Sequence, residues 1–294
     1  MLNFQKLKKT KLQEYRRYYD DPEAVGCEVN FVSAYLWSHE YAIKTAVFDD
    51  TLIKAYYRSD GSVWGYCMPA GKNVRGAVET VFADAAERNQ RACFGYLSRR
   101  ERDWLESLYP GRFLFTRAEE TQDYIYKAAD LAALPGKKYH AKRNHISRFF
   151  RTYGDVCVEE ITPGNAADAL SVAEQWCIEN GIDCRTYGEY FVIREALDNL
   201  CELDMRGILL YVGGKPIAMA LGSELSPVCF DINFEKALTS YDGSYAVINN
   251  EFAKRLDYTF INREEDLGLE GLRKSKLSYQ PAIIYERYDG VPQW

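Results

Sequence analysis

Gly207-Ile-Leu-Leu-Tyr-Val-Gly-Gly-Lys-Pro-Ile-Ala-Met-Ala-Leu-Gly-Ser-Glu-Leu-Ser-Pro-Val-Cys-Phe-Asp-Ile-Asn-Phe234 reads as three strands in succession. Apolar runs over 207–212 and 216–223 flank Gly213-Gly214, a pair able to take the positive φ angles of a two-residue hairpin. Ser226-Pro227 marks the next turn, and a strand over 228–234 follows it. Outward from this core, helices are predicted over 165–179 and 187–203. A further helix over 244–256 has its apolar stripe at Tyr245, Ile248, Phe252 and Leu256. A strand over 258–262, a helix over 269–277 and a strand over 282–288 complete the second half.

The first half repeats this order. Helices over 11–19 and 31–39 precede hairpin strands 44–48 and 51–57, which turn at Asp49-Asp50. A strand over 63–68, a helix over 76–88, a strand over 92–97, a helix over 99–108 and strands over 112–116 and 123–127 follow. Corresponding points keep a nearly constant offset. Asp49 and Gly213 are 164 residues apart, Val63 and Val228 165, Gly76 and Gly243 167, and Phe113 and Ile283 170. Identity between the halves is negligible, so order and spacing alone predict a tandem pair of α/β units. The expected division is a first unit over 1–135, a basic linker helix over 136–151 and a second unit over 152–294.

Composition bounds the class. The 294 residues carry 43 acids against 37 bases, a net charge of −6, with 47% apolar and 27% charged residues, which is globular rather than disordered. No apolar run approaches the ~18 residues of a membrane span, and residues 1–17 lack the apolar stretch of a secretory signal. A cytoplasmic protein is therefore expected. The eight cysteines form no C-x-x-C pair and the three histidines (39, 140 and 145) have no ligand spacing, so reduced thiols and no metal site are expected. The P-loop, G-x-G-x-x-G, G-x-S-x-G and H-E-x-x-H patterns are all missing, which removes the usual support for kinase, dehydrogenase, serine-hydrolase and metalloprotease readings. Residues 131–154 contain no acid but include Lys137, Lys138, Lys142, Arg143, Arg148 and Arg151. Such a run suits either the phosphates of tRNA or a nucleotide, or a solvated helix face. The overall negative charge argues against general DNA binding.

The order of helices, hairpin, strand, helix, strand, helix and strand resembles the GNAT superfamily of N-acyltransferases. Three strings are similar to a bacterial family related to the C-terminal domain of phosphatidylglycerol lysyltransferases. They are Gly136-Lys-Lys-Tyr-His-Ala-Lys-Arg-Asn-His-Ile-Ser-Arg-Phe149, Asn233-Phe-Glu-Lys236 and Ile261-Asn-Arg-Glu-Glu-Asp-Leu-Gly-Leu-Glu-Gly-Leu-Arg-Lys274. That family carries two GNAT units and is similar to Fem-type aminoacyltransferases; the resemblance covers nearly the whole chain. It implies an α/β (α+β) fold of two tandem GNAT-like units, each a mixed, centrally splayed sheet flanked by helices. It also implies transfer of an acyl or aminoacyl group to an amine or hydroxyl acceptor by direct attack. The donor would be an acyl-CoA such as acetyl-CoA, or an aminoacyl-tRNA, its carbonyl polarised by amides of the splayed strand. A GNAT-fold binding protein without chemistry is the other reading. Its support is Ser240-Tyr-Asp-Gly-Ser-Tyr245, which stands where acetyltransferases carry a Q/R-x-x-G-x-G/A turn for the CoA pyrophosphate. An aspartate at a helix N-terminus competes with phosphate for the same amides.

Several residues become candidates. Asp231, Asn233 and Glu235 alternate on one strand face, as either a solvent-facing edge or a polar cavity wall. Glu235 is placed to deprotonate an incoming ammonium. Arg263 and the acids Glu264, Glu265 and Asp266 follow a predicted strand, at the edge where α/β sheets bind ligands. They suit a base raised by like charge with a carbonyl-holding arginine, or the acidic first turn of a helix. Tyr279 lies where the resemblance implies a tyrosine that protonates the leaving group. Lys72 and Arg75, between Gly71 and Gly76, suit an anion cradle or a plain surface loop. Lys137, Lys138, His140 and Arg143 are candidate phosphate ligands, and Tyr241, Gly243, Ser244 and Tyr245 form the donor-binding turn. Substituting Glu235→Gln is expected to abolish turnover and leave stability nearly intact.

Overall fold

The computed structural model describes residues 2–19 and 21–293. The first half comprises β1 (Gln5–Lys6), α1 (Leu12–Arg16), α2 (Phe31–Leu36), β2 (Ile43–Phe48), β3 (Thr51–Tyr57), β4 (Val63–Tyr66), β5 (Ala70–Gly71), α3 (Val74–Glu87), β6 (Phe94–Leu97), α4 (Arg99–Leu108), β7 (Phe113–Arg117) and β8 (Asp123–Lys127). Two helices, α5 (Ala128–Ala133) and α6 (His140–Thr152), form the connection. The second half comprises β9 (Val156–Glu160), α7 (Ala166–Glu179), α8 (Gly188–Asp198), β10 (Met205–Val212), β11 (Lys215–Ser226), β12 (Cys229–Ala237), α9 (Ser244–Ala253), β13 (Phe260–Asn262), α10 (Glu270–Leu277), β14 (Ile283–Tyr285) and β15 (Tyr288–Pro292). Helix α8 stops short of the expected residue 203, and β9 is an edge strand that the sequence reading did not include.

The strands build two mixed sheets, ordered β1-β2-β3-β4-β6-β15-β7 (with β5 beside β3) and β14-β8-β13-β12-β11-β10-β9. They do not divide along the chain. The strand expected over 282–288 breaks at Glu286-Arg287. Its first part, β14, pairs with β8 in the second sheet, and its continuation, β15, inserts between β6 and β7 in the first. In return β8, from the first half, lies between β13 and β14. Each sheet is therefore completed by the other half.

Arg287 sits at the crossing point. Its side chain is fully buried, with Nη2 donating to Asp123 on β8 at 2.9 Å and to Glu28 just before α2, while Nη1 reaches the Tyr96 carbonyl at 3.3 Å. A buried guanidinium is tolerated only with such partners. The break in the strand lets this side chain enter the interface between the sheets.

Helices α1 and α2 pack with α7 and α8 on one face of the second sheet, joining Val32 and Leu36 to Ile193, Leu197, Leu209 and Met219. Helices α5, α6 and α9 cover the other face through Leu131, Phe149, Val247 and Phe252. Helices α3 and α4 pack on the first sheet. Inside the second sheet, β12 and β13 run parallel for three rungs, Cys229↔Phe260, Phe230↔Ile261 and Asp231↔Asn262, and then part. In the first sheet the parallel pair β4 and β6 shares the single rung Tyr66↔Phe94. Each sheet is thus splayed at its centre. Gly222 lies where β11 bulges against β12: a Cβ there would lie 2.1 Å from the Asp231 carbonyl oxygen, so only glycine permits the approach.

Replacing Arg287 by methionine leaves Asp123 and Glu28 as unpaired acids between the sheets. Urea unfolding should show a loss of about 3–5 kcal/mol, and a change below 1 kcal/mol would show that the pair is not what holds the crossing.

Candidate active site

Past the Asp231↔Asn262 rung, the diverging ends of β12 and β13 open into a cavity of about 730 Å³ between the two sheets. Asn233, Glu235 and Lys236 enter from β12, Arg263, Glu264 and Glu265 from the segment after β13, and Lys276 and Tyr279 from α10 and its end. The opposite wall comes from the first half: Asn30, Ser33 and Trp37 around α2, with Lys54, Tyr56 and Tyr96 from β3 and β6. Six lining carboxylates (Glu28, Glu40, Glu189, Glu235, Glu264 and Glu265) face four cations (Lys54, Lys236, Arg263 and Lys276), so the cavity is acid-rich.

Arg263 and Glu235 are paired across the opening, Nη2 to Oε1 at 2.9 Å, and both side chains are about nine-tenths buried. Asn249 of α9 donates to the other Glu235 oxygen at 3.2 Å. Arg263 Nη1, by contrast, is buried with no hydrogen-bond partner among the described residues. Such a donor is costly to leave unmade, and a carbonyl or carboxylate oxygen of a ligand would satisfy it.

Glu264 holds a left-handed backbone conformation (φ 52°), unusual for a residue with a side chain. Its amide donates to Asn262 Oδ1 at 2.7 Å, and its carbonyl accepts from the buried Lys276 ammonium at 3.2 Å, which also bonds the Arg263 carbonyl. These bonds over-determine the strained backbone and aim the carboxylate at the cavity, where it accepts from Asn233 Nδ2 at 3.2 Å and Ser33 Oγ at 3.4 Å. Burial, then the charges of Asp231 and Glu265, push the Glu264 carboxyl well above the usual range. Burial and Asp123 raise Glu265 as well. Burial and Arg263 lower the Lys276 ammonium to about 8. Beneath the floor, the fully buried Asp231 is pushed up to about 8, by burial first, against the lowering effect of its hydrogen bond from Asn30.

A second cluster faces this one. Lys236 pairs with Glu189 at 2.7 Å and lies 3.8 Å from the Trp176 ring centroid, while Trp176 Nε1 donates to Tyr245 Oη at 2.8 Å. Tyr279 is buried with its hydroxyl raised to about 12 by that burial, and its ring carries Arg263 at 4.9 Å and Lys142 of α6 at 3.8 Å. Burial and Arg263 lower the Lys142 ammonium to about 8. Among the described residues one set of metal-binding side chains converges: Cys27, Asp123 and Glu265, with ligand atoms within 4.8 Å. Arg287 donates to that same Asp123, so the positive charge there is the protein's own.

The structure thus brings Glu235, Arg263, Glu264, Tyr279, Asn233 and Tyr245 to one cavity, with Asp231 directly beneath. The strand face of Asp231, Asn233 and Glu235 is a cavity wall. Asp266 is turned away, paired with Arg273 at 2.6 Å and bonded by Tyr124. Lys72 and Arg75 are not in the cavity: they pair locally with Asp50 and Glu79, and Asn73 Oδ1 already accepts the Gly76 amide at 3.0 Å. That loop is a capped surface turn. Lys137, Lys138, His140 and Arg143 also lie outside the cavity: Lys138 meets Asp130, Arg143 donates to the Leu134 and Gly136 carbonyls, and His140 contacts Asn144. Lys138 and Arg143 secure the turn into α6, whereas Lys142, one residue from Arg143, is the basic side chain near the site.

The donor-turn candidates are packed shut. Gly243 (φ 93°) starts α9, and a Cβ there would meet the His145 carbonyl at 3.1 Å, because α6 lies against the turn. Tyr241 packs on Tyr153, and Ser244 Oγ donates to the Leu238 carbonyl at 2.8 Å. The Thr239 amide donates to Glu179 at 2.7 Å, the Asp242 amide to Tyr153 Oη at 3.2 Å, and Asp242 pairs with Arg148. A carboxylate and a helix of this chain therefore occupy the place of a CoA pyrophosphate, and the group does not fit.

The family model described as phosphatidylglycerol lysyltransferase, C-terminal, matches residues 22–289. The chain belongs to this family. A conserved protein of unknown function from Bacteroides thetaiotaomicron VPI-5482 is 36% identical, with a TM-score of 0.93 and full coverage of both chains. L-PGS from Bacillus licheniformis shares the fold at a TM-score of 0.68 and 11% identity, over 96% of this chain and 91% of that one. An uncharacterized protein of Mycoplasmoides gallisepticum, MYCGA3080, is 25% identical over 194 residues, 64% of this chain. The match spans 61% of that relative's length. The architecture of this lysyltransferase-family chain is accordingly mixed α/β, two mixed sheets flanked by helices, and it is shared with L-PGS. Among its described residues no helix is long and apolar enough to cross a membrane.

Two outcomes follow from the buried charges. Glu235→Gln leaves Arg263 with a neutral partner; a wholly buried pair broken this way costs roughly 3–5 kcal/mol, and since Gln keeps an acceptor a loss on the order of 2 kcal/mol is expected in urea unfolding. Stability is therefore not spared, contrary to the expectation from sequence. For Asp231, a raised folded-state value means that the native protein holds a proton the unfolded chain has released between about pH 4 and 8. The wild type must lose stability from this group as pH rises through that window. Asp231→Asn should accordingly gain stability relative to wild type between pH 5 and pH 8, as read from paired urea midpoints; a constant difference would mean that Asp231 does not titrate there.

Proposed function

We propose that this chain is an aminoacyltransferase that moves an aminoacyl group from an ester donor, an aminoacyl-tRNA, to an amine or hydroxyl acceptor. The observation that carries this reading is the splay of β12 and β13, with Glu264 and Arg263 both lining a cavity roomy enough for two reacting groups. Membership of the lysyltransferase family supports aminoacyl rather than simple acetyl transfer. The closed turn at Gly243 disfavours a CoA thioester.

The acceptor attacks the ester carbonyl carbon directly and its proton passes to Glu264, whose proton affinity burial raises above that of an ordinary carboxylate. Glu235 is the weaker candidate for that role, because Arg263 and Asn249 already hold both of its oxygens. The Arg263 guanidinium, which lines the cavity, stabilises the oxyanion of the tetrahedral intermediate by its positive charge. Collapse breaks the bond to the ribose oxygen. Tyr279, still protonated at neutral pH with its hydroxyl near 12, supplies the proton to that leaving oxygen.

Two measurements test this. Calorimetric titration with CoA and acetyl-CoA at low salt should show no binding, and stoichiometric heat would return the donor to a thioester. With a pool of charged tRNA and mixed amine and hydroxyl acceptors, Glu264→Gln should slow transfer by at least about 10²-fold. It should also remove an acid limb of the rate, which in the wild type climbs with pH above the ordinary carboxylate range. Full transfer by a folded Glu264→Gln variant would remove the base from Glu264.

A further inference from the structure

Under the cavity floor lies a closed hydrogen-bond network. Asn30, Ser223, Asp231 and Asn233 are all buried. Asn30 Nδ2 donates to Ser223 Oγ at 3.0 Å and to Asp231 Oδ2 at 2.9 Å, so both of its amide hydrogens are engaged. The Ser223 hydroxyl donates onward to Asn233 Oδ1 at 3.1 Å, which fixes the Asn233 amide with its nitrogen facing the carboxyl groups. That nitrogen donates to Asp231 Oδ2 and to Glu264 Oε1, at 3.2 Å each. One NH₂ group therefore joins two carboxyl groups, and Asp231 Oδ1 is buried with no hydrogen-bond partner among the described residues. A carboxylate with one bare oxygen in a dry site is costly, and a second carboxylate one amide group away adds repulsion. A single proton on the pair relieves both.

We propose that Asp231 and Glu264, bridged by the Asn233 amide, hold one proton between them, on one carboxyl or the other, with Asp231 acting as the positioning residue for the Glu264 carboxyl. The proposal rests on the reading of Glu264 as the base. The relay is anchored by the first half: Asn30 also caps α2, accepting from the Val32 and Ser33 amides at 3.0 and 3.4 Å, and Ser33 in turn donates to Glu264. Thus α2 touches both members of the pair without bringing any charge.

Two thiols also face the pair: Cys229 of β12, raised by burial and then by Asp231, and Cys27, raised by burial and by Asp123, Glu265 and Glu264. Asp123 of β8 faces Asp231 and adds to its upward shift, although Arg287 pairs with it. Glu265 adds negative charge beside both, and Lys276 of α10 opposes it from the backbone side. Arg263 is engaged with Glu235, and Tyr41 lies close enough for the Glu264 and Glu265 charges to raise its hydroxyl, after burial. The upward shifts of Asp231 and Glu264 agree with a shared proton.

Asp231→Asn suits the test. Its amide oxygen takes over the two N–H bonds at the Oδ2 position, and its NH₂ occupies the bare Oδ1 position. The carboxyl carbons of ¹³C-Asp/Glu-labelled full-length protein are followed by NMR against pH, with Glu264 assigned by the signal lost in Glu264→Gln. In the wild type the pair should titrate in two steps, both signals moving in each, and in Asp231→Asn the Glu264 midpoint should fall by about one pH unit or more. Two independent single steps in the wild type overturn the sharing whether or not the variant folds, and so does an unmoved Glu264 midpoint in folded Asp231→Asn. The transfer assay separates the layers. Coupled titration with full transfer by Glu264→Gln keeps the shared proton and discards the base, whereas uncoupled titration with transfer lost keeps the base and discards the sharing.

Discussion

The buried contact of Arg287 with Asp123 and Glu28 is the constraint on which the rest of the molecule depends. Arg287 stands at the step between β14 and β15, Asp123 opens the strand that the first half lends to the second sheet, and Glu28 leads into α2. One guanidinium thus ties together both exchanged strands and the helix that forms the far wall of the cavity. With one guanidinium serving both acids, the sheets can face each other across a polar gap; without it, two acids are left in a low-dielectric interior.

The cavity is a product of that exchange. The second half supplies the chemistry-bearing side chains at a strand splay, and the first half supplies a lid of aromatic and polar groups from α2, β3 and β6. Neither half holds a complete pocket. The residues beneath are graded by environment: Glu235 is committed to an arginine, Asp266 to another, and Glu264 is held by an amide and a hydroxyl alone. Three nearby carboxylates are therefore given three different electrostatic surroundings.

Much of this was legible in the sequence, for identifiable reasons. Alternation along 228–234 put Asp231, Asn233 and Glu235 on one face, and the position of Arg263 and Glu264 just after a strand put them at a sheet edge; both readings depend only on local periodicity. What the sequence hid is non-local. The run over 282–288 reads as one strand, since nothing in Ile-Ile-Tyr-Glu-Arg-Tyr says that it changes sheets at Arg287. The contributions of Asn30, Ser33, Tyr56 and Tyr96 follow from that exchange, so no spacing rule pointed to them. The basic run misled in a different way. Its charges are real, but Arg143 and Arg148 are used by the fold itself, on backbone carbonyls and on Asp242. At the turn before α9 the sequence reading singled out Asp242 as the competitor for the amides, but its carboxylate pairs with Arg148, and the amides of Thr239 and Ser240 go to Glu179, a residue distant in sequence.

The exchanged strand also bears on the order in which the protein can fold as it is made. Between β6 and β7 the first sheet has a gap filled by residues 288–292. A nascent chain that has passed the first half still carries two unsatisfied strand edges there, and β8 has as yet no sheet to join. Contacts of such long sequence separation are slow to form, and open edges invite wrong partners. The first half must therefore stay provisional until the second is nearly complete, and the whole closes as one cooperative unit rather than domain after domain.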